Sequence, residues 1–505
     1  MIARCRSLKL LLVVLATAAS LLGMHGTAAA AVPAFGFDPS FGTNGVGLGH
    51  SSSSDGYFVV NAVAPRPEGG WIAVGYMGGK SDEEDYDSDW NWMVSAFRAD
   101  GSPDTQFGSN GRLINSDPGG YGKSYGSTAD AVTVQPDGKI LVGGIVDVST
   151  SSDQADYLDQ VGGDPECNCF AGRGAFRIAR YLADGKLDRG FGARGHVLLR
   201  GLSRSWTENG AMSSLEQIVV GRGGRIYVLG ETMYFSNGLN ASSNDRQRLI
   251  GFAVNKNGTT RRSFGRNGRL LAAVGRRTAD FHPERAVELR SGELVVSGYT
   301  LLGRGAATKR FRVATVRVTR RGRLDNSAWG RGWREISFAP KKYDFAAVDM
   351  RADGSAVYLL TRHIKSSYSG PTGRGAVVAS VKPSGYRDTE FATAGVLNLS
   401  EAVGPEVRDG NFIAALRDGS MAVLVNNGLR QKYSDDPDPH RQSLIAISKH
   451  GIDGPALQFE IPSTSDQGFD SRLMSTDGSR VVLGGTVTAG ESDRVFFARL
   501  RHVGN

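Results

Sequence analysis

The first stretch equipped for chemistry is Lys80-Ser-Asp-Glu-Glu-Asp-Tyr-Asp-Ser-Asp-Trp-Asn-Trp92, in which Asp85, Asp87 and Asp89 alternate. Such spacing can offer carboxylate oxygens to a hard cation such as calcium. A calcium loop also needs a glycine after the third acid and a distal glutamate, and Trp90 stands where that glycine would be. Asp82 to Asp89 therefore reads as a solvated acidic loop, and no metal ligand is assigned. Cys167-Asn168-Cys169 is the second such stretch. Its two sulfurs could close a small disulfide ring, pair between molecules or hold a metal. With no histidine nearby they make a poor zinc site, and a local Cys167–Cys169 disulfide is the favoured reading.

Catalytic signatures are missing. The chain has no Gly-x-Ser-x-Gly elbow, no His-Glu-x-x-His and no phosphate-cradling Gly-x-x-x-x-Gly-Lys-Ser/Thr. His363 and His440 fall in long connections and His50 near the N-terminal strand, while His196, His450 and His502 fall in repeated strands or turns. Paired carboxylates able to hydrolyse a glycosidic bond could still meet from distant parts of the chain, which spacing cannot reveal. No catalytic and no cofactor-binding residue is assigned. Asn240, Asn257 and Asn398 each begin an Asn-x-Ser/Thr pattern, and Asn257 is also needed at a tight turn.

The elements that must position any such residues begin after a leader. Arg4, Arg6 and Lys9, the apolar run Leu10 to Leu22 and the small residues Thr27 to Ala31 form the three parts of a secretory signal peptide, here residues 1–31. No later run reaches the roughly 18 apolar residues of a membrane span. The remainder, 32–505, is expected as one exported, soluble and monomeric domain. Losing the leader's three basic residues takes the formal charge from +8 to +5, and the arginines are scattered, which excludes a nucleic-acid footprint. Sixty-eight glycines against 17 prolines point to many tight turns between short strands.

One unit recurs along the chain. Its clearest copy is Ala131 to Gly144, an insert, Phe176 to Gly185, then Leu187 to Leu199. Val132 and Val134, then Ile140 and Val142, alternate around Pro136-Asp137-Gly138-Lys139 as a β-hairpin. Phe176 to Tyr181 makes a third strand, and a second turn at Asp184-Gly185 leads through Phe191-Gly192 to a fourth at His196. The hairpin turn returns at Gly69-Gly70, Asp137-Gly138, Gly223-Gly224, Ser291-Gly292, Asp353-Gly354, Asp418-Gly419 and Asp477-Gly478, seven copies in all. The fourth-strand segment is sharpest at Phe107-Gly108, Phe191-Gly192 and Phe264-Gly265, altered at Trp329-Gly330 and Phe391-Ala392, and lost after Gly451. Its aromatic ring is expected to pack between neighbouring sheets, with glycines allowing a sharp turn and close backbone approach.

These residues resemble the delta-60 repeat family, whose units carry a Pro-Asp-Gly-Lys hairpin, a Phe-x-x-Ala-Arg-Tyr strand and a Leu-Asp-x-x-Phe-Gly-x-x-Gly segment. The resemblance implies a β-propeller and brings no activity or catalytic residue with it. Seven four-stranded units suit radial repetition. The fold expected is all-β: a seven-bladed β-propeller of four-stranded antiparallel blades. The seventh unit stops before its fourth strand, whereas Phe37-Asp38-Pro39-Ser40-Phe41-Gly42 is a fourth-strand segment with no unit before it. Residues 35–49 are therefore expected to complete the last blade, 465–505, by pairing Phe37 to Leu48 with Val495 to Leu500.

In such a ring the long second-to-third connections share one face, where binding loops usually gather. The function expected is a secreted, non-enzymatic binding module using that face toward an extracellular glycan or protein. The alternative is a hydrolase or lyase of extracellular polysaccharide or peptide at the mouth of the channel, which three or more converging polar side chains would favour.

Overall fold

The computed structural model describes residues 35–51, 56–79, 91–115, 128–148, 170–172, 174–200, 205–207, 213–234, 246–276, 279–302, 310–338, 343–362, 375–400, 407–416, 418–427, 440–448, 451–453, 455–461, 471–475, 480–489 and 492–502. The leader, the acidic loop Asp82 to Asp89, Cys167, Cys169, Asn240 and His363 lie outside the described residues.

Seven antiparallel sheets follow one another along the chain. Blade 1 comprises Gly56–Pro65, Trp71–Gly79, Asn91–Phe97 and Arg112–Asn115. Blade 2 comprises Thr128–Val134, Ile140–Asp147, Gly174–Tyr181 and His196–Leu199, and blade 3 Ser213–Val220, Ile226–Tyr234, Arg246–Val254 and Arg269–Ala272. Blade 4 comprises Ala279–Glu288, Leu294–Leu302, Arg310–Val318 and Trp333–Ile336, and blade 5 Tyr343–Met350, Ala356–Arg362, Ala376–Val381 and Val396–Asn398. In blade 6, Val407–Ala415, Met421–Asn427 and His440–Ser448 are completed by Leu457–Ile461 although the Phe-Gly segment is gone. A short ribbon of Phe170–Gly172 with Ser205–Thr207, unforeseen from the repeat, stands apart from the blades.

The seventh blade joins the two ends of the chain. Ser471–Ser475, Arg480–Ala489 and Ser492–His502 provide three strands, and the N-terminal segment provides the fourth. Phe35 pairs with His502 and Phe37 with Leu500, then Val46 with Ala498 and Leu48 with Phe496. The expected pairing is thus present in two pieces, because Asp38 to Gly45 loops out between them to carry the Phe-Gly motif. Arg499 bridges the gap on both sides: its amide donates to Gly45 O, and its carbonyl accepts from the Asp38 amide.

First strands of successive blades touch all the way round, blade 7 against blade 1 included, so they line the axis. Apolar side chains gather into seven clusters, each shared by two neighbouring blades. At the seam, Val482, Val495 and Phe497 of blade 7 pack with Phe58, Trp71 and Phe97 of blade 1 around Phe41. Burying a side chain such as Phe41 is worth about 1.5–3 kcal/mol, so the closing strand contributes substantially to ring stability. Among the described residues, no helix is long and apolar enough to cross a membrane.

The fourth-strand motif fastens blades 7, 1, 2 and 3 each to the blade that follows. Phe41, Phe107, Phe191 and Phe264 are essentially fully buried, and the amide of the following glycine donates to the second-turn carbonyl of the next blade: Gly108 to Asp184 O at 2.9 Å, Gly192 to Asn257 O at 2.8 Å. A Cβ on Gly101 would lie 2.8 Å from the Phe41 ring, so that turn takes glycine for close approach as well as for its φ of +83°. An arginine of the third strand completes the clasp. Arg499 Nε lies 2.9 Å from Asp38, its Nη1 donates to Ala99 O at 2.7 Å, and its guanidinium covers the Phe41 ring at 4.7 Å. Arg180 repeats the arrangement with Asp188, Lys256 O and Phe191. Blade 1 has Ala96 at the arginine position, and Arg66 of the hairpin turn reaches Asp104 and Ala183 O instead.

Candidate functional site in the axial channel

The chemistry of the ring concentrates at an irregularity in its innermost strands. In six of the seven blades the pairing of first with second strand slips by one residue, leaving Asn61, Asp130, Glu216, Glu284, Ala346 and Asn411 as the extra residues. Such a bulge bends the strand and re-aims the extra side chain. Five of these residues stand eight positions before the second glycine of their hairpin turn and Asn61 nine, so they occupy equivalent places round the axis. Four of the bulges face a glycine. A Cβ on Gly75, Gly144, Gly230 or Gly298 would fall 1.8–2.0 Å from the carbonyl oxygen of Val59, Thr128, Ser214 or His282. No side chain fits there, so glycine at this position of the second strand permits the bulge.

Three consecutive bulges are carboxylates. Asp130, Glu216 and Glu284 come from blades 2, 3 and 4 and are half-buried; the charge of Glu216 acts on both of the others, and that of Glu231 acts on Glu216. Burial, followed by the opposing hydrogen bond from Thr128 and then the charge of Glu216, pushes Asp130 up to about 7. Burial and Glu216 push Glu284 up to about 7 against the partial offset of Arg285. Burial raises Glu216 too, although Ser214 Oγ hydrogen-bonds its Oε1. Like charges near one another resist ionising together, which adds to burial in raising Asp130 and Glu284.

A histidine and an aromatic ladder adjoin the carboxylates. His282 Nδ1 lies 2.8 Å from Glu231 Oε2. Burial works against its charge, but the hydrogen bond and charge of Glu231 prevail and raise its pKa. Its ring stacks on Tyr299 at 4.7 Å, and Tyr299 stacks on Phe345 at 4.5 Å, with interplanar angles of 21° and 24°. Burial, then Glu284, Glu231 and Glu216, raise the Tyr299 hydroxyl strongly, so it stays a hydrogen-bond donor. Asn61 borders the group from blade 1, donating to Ala129 O at 3.1 Å and to Asp130 Oδ1 at 3.4 Å. Gln217, beside Glu216, fixes the spacing of two blades by accepting from the Ala286 amide at 2.6 Å. Among the described residues no three acidic, histidine or cysteine side chains are grouped so as to hold a metal ion. The arrangement is suited to hydrogen bonding and proton transfer.

Of the residues singled out from sequence, those that the structure describes fall elsewhere. Asp85, Asp87, Asp89, Cys167 and Cys169 lie outside the described residues. His196 belongs to the outer strand of blade 2, where Nδ1 meets Arg177 Nη2 at 3.4 Å. Asn257 forms the expected turn, its Oδ1 accepting from the Thr259 amide and hydroxyl. His282 and the bulged carboxylates were invisible as a group, because each is one residue per repeat and no motif marks it. The usable signal was the glycine that recurs inside the second strand, in Val74-Gly75, Gly143-Gly144, Leu229-Gly230 and Ser297-Gly298.

Residues 135–155 and 161–191 match a family model described as Domain of unknown function (DUF5122) beta-propeller. The match is to a propeller repeat. It falls on blade 2, the copy in which the repeat is most complete. No curated protein matches the chain. Among solved structures, the polysaccharide lyase Uly1 is similar at 9% identity over 88% of this chain and 92% of its own, with a TM-score of 0.47. An alpha-L-arabinanase from Penicillium chrysogenum, complexed with arabinobiose, is 13% identical over 74% of this chain and 92% of its own, with a TM-score of 0.38. A GH43_1 enzyme from Xanthomonas citri, complexed with xylotriose, is 9% identical over 58% and 89%, with a TM-score of 0.29. At these values the likenesses carry no weight for chemistry, and the fold stands on the strand pairing above.

Proposed function

We propose that this chain is an exported, monomeric propeller of the delta-60 repeat kind that binds a hydroxyl-rich extracellular ligand, a neutral or amine-bearing glycan, at the bulged carboxylates of its channel. The placement of Asp130, Glu216 and Glu284 at equivalent bulges of three adjacent blades supports binding at this place, and as converging polar side chains it equally supports the enzymatic alternative below. Carboxylates accept hydrogen bonds from paired sugar hydroxyls, and charge-assisted bonds of this kind are the stronger ones. With Glu231 beside them, and His282 and Arg285 the cations that act on them most among the described residues, the site disfavours polyanions. Elimination from uronate polymers is therefore not the reaction it suits. The connections expected to surround the mouth would extend the contact to a longer chain.

A second reading, hydrolysis of the same glycan, is favoured by Asp130 and Glu284 being pushed up to about 7. A carboxylic acid half-protonated at neutral pH can give its proton to the leaving glycosidic oxygen. A neighbouring carboxylate can take a proton from the attacking water, so that the C–O bond breaks as water adds. A panel of cellotetraose, xylotetraose and glucosamine tetramer, assayed for binding and for release of reducing ends, separates the two readings. Binding that falls about tenfold or more in Glu216→Gln with folding intact is expected of both. New reducing ends, lost in Glu284→Gln, mark the hydrolase. If no member of the panel binds, the glycan reading is wrong.

A further inference from the structure

A second site lies away from the channel, where the two turns of blade 3 meet on the opposite face from the long connections. Arg222 and Arg225 of the hairpin turn, with Asn255, Lys256, Asn257 and Arg261 of the second turn, line a cavity of about 400 Å³. Arg222 and Lys256 are exposed, and Arg225 and Arg261 half-buried. Glu288 of blade 4 is the nearby acid, and it is already engaged. Buried, it holds Arg225 at 2.6 Å, the Tyr227 hydroxyl at 2.9 Å and the Arg222 amide at 2.6 Å. Among the described residues the lining thus carries four cations and no acid, with Arg225 paired to Glu288 behind it.

Comparison with the other blades shows how the repeat makes this pocket. Three of its positions are commonly acidic: the residue before the second hairpin glycine, the residue before the second-turn glycine, and the one three places after that glycine. Blade 2 has Asp137, Asp184 and Asp188 there, blade 1 Asp100 and Asp104, blade 5 Asp353 and Asp388. Blade 3 has Gly223, Asn257 and Arg261, and is the one copy with no acid at any of the three. Elsewhere the third acid serves the clasp, as Asp188 does with Arg180 and Asp38 with Arg499. In blade 3 the clasp arginine is Ala253. Losing a clasp would explain two neutral residues; it does not explain a carboxylate becoming a guanidinium that lines a cavity with three other cations. Asn255, Asn257 and Thr259 meanwhile fix the rim among themselves, Asn255 Nδ2 donating to Thr259 Oγ1 at 2.9 Å and that hydroxyl to Asn257 Oδ1 at 2.8 Å.

We propose that this pocket binds an oxyanion, a phosphate or sulfate group either free or carried as an ester on an extracellular polymer. Guanidinium groups match the paired oxygens of such anions, and Lys256 adds a point charge at the rim. The attraction is electrostatic and weakens with salt.

The test measures binding of the mature protein to dextran sulfate, with unmodified dextran as control and inorganic phosphate and sulfate as competitors. Wild type should bind dextran sulfate more tightly than dextran, the excess reporting on this pocket and any binding of dextran itself on the channel. Arg261→Asp, which restores the acid other repeats carry, should weaken binding about tenfold. Arg501→Asp, an equal charge change on an exposed residue across the ring, should alter it less than about twofold. Should Arg261→Asp lower the melting temperature, Lys256→Ala replaces an exposed side chain and should still weaken binding. Competition by inorganic phosphate or sulfate assigns a site for the free ion; binding without competition assigns it to the polymer-borne ester. No preference for dextran sulfate over dextran, or equal losses in Arg261→Asp and Arg501→Asp, would overturn the proposal.

Discussion

At the scale of single residues, two sets of carboxylates behave oppositely because their surroundings do. Burial alone would raise Asp38, but hydrogen bonds from Ser40 and the charge of Arg499 outweigh it and hold it below the usual range. Its contribution to stability is therefore present above the ordinary carboxylate pKa and is lost as pH falls through the lower folded value. Breaking this buried pair by Arg499→Ala leaves Asp38 without its main cation and should cost about 3–5 kcal/mol, read as a lower urea midpoint at pH 7. Glu284 has the opposite sign. Its folded pKa of about 7 exceeds the ordinary 4.5, so the folded state holds the proton more tightly than the unfolded chain. Stability from this group is full below the ordinary value and is lost as pH rises toward 7. Glu284→Gln should leave melting at pH 4 almost unchanged and raise it at pH 8. A variant less stable than wild type at pH 8 would show that Glu284 is not held under that pressure.

At the scale of elements, the closing strand and the bulges divide the work of stability and site. Deleting residues 32–50 removes Phe41 from the seam and the whole outer strand of blade 7, and should lower the melting temperature sharply; an unchanged profile would sink the closure model. Gly230→Ala forces a Cβ to within 2.0 Å of Ser214 O. It should therefore straighten or displace the bulge at Glu216 and reduce ligand binding, with a stability loss of about 1–3 kcal/mol. Hairpins, turns and the missing fourth strand were legible in the sequence because local chemistry specifies them: Asp-Gly sets a turn, and Phe-Gly sets a clasp. The sixth blade closed without its motif because the third strand offers an edge that Leu457–Ile461 can pair with. The candidate site was not legible, since Asp130, Glu216 and Glu284 are 86 and 68 residues apart and meet only when the ring closes.

At the scale of the whole molecule, the ring offers two sites of opposite charge. The innermost strands hold carboxylates raised by burial and by one another, which on the proposed reading disfavour polyanions, while the turn face of blade 3 carries four cations round an open cavity. One repeat supplies both, the first by a bulge kept in six blades and the second by exchanging three residues in one blade. Each site should therefore be separable by substitution. The most direct measurement for the channel is the pH dependence, from 5 to 8, of binding to the tightest tetrasaccharide of the panel, in wild type and in Glu284→Gln. The wild-type affinity should change across the interval around pH 7, where Glu284 and Asp130 exchange their protons, and Glu284→Gln should flatten that change. Identical profiles for the two proteins would contradict the channel as the place where this propeller meets its ligand.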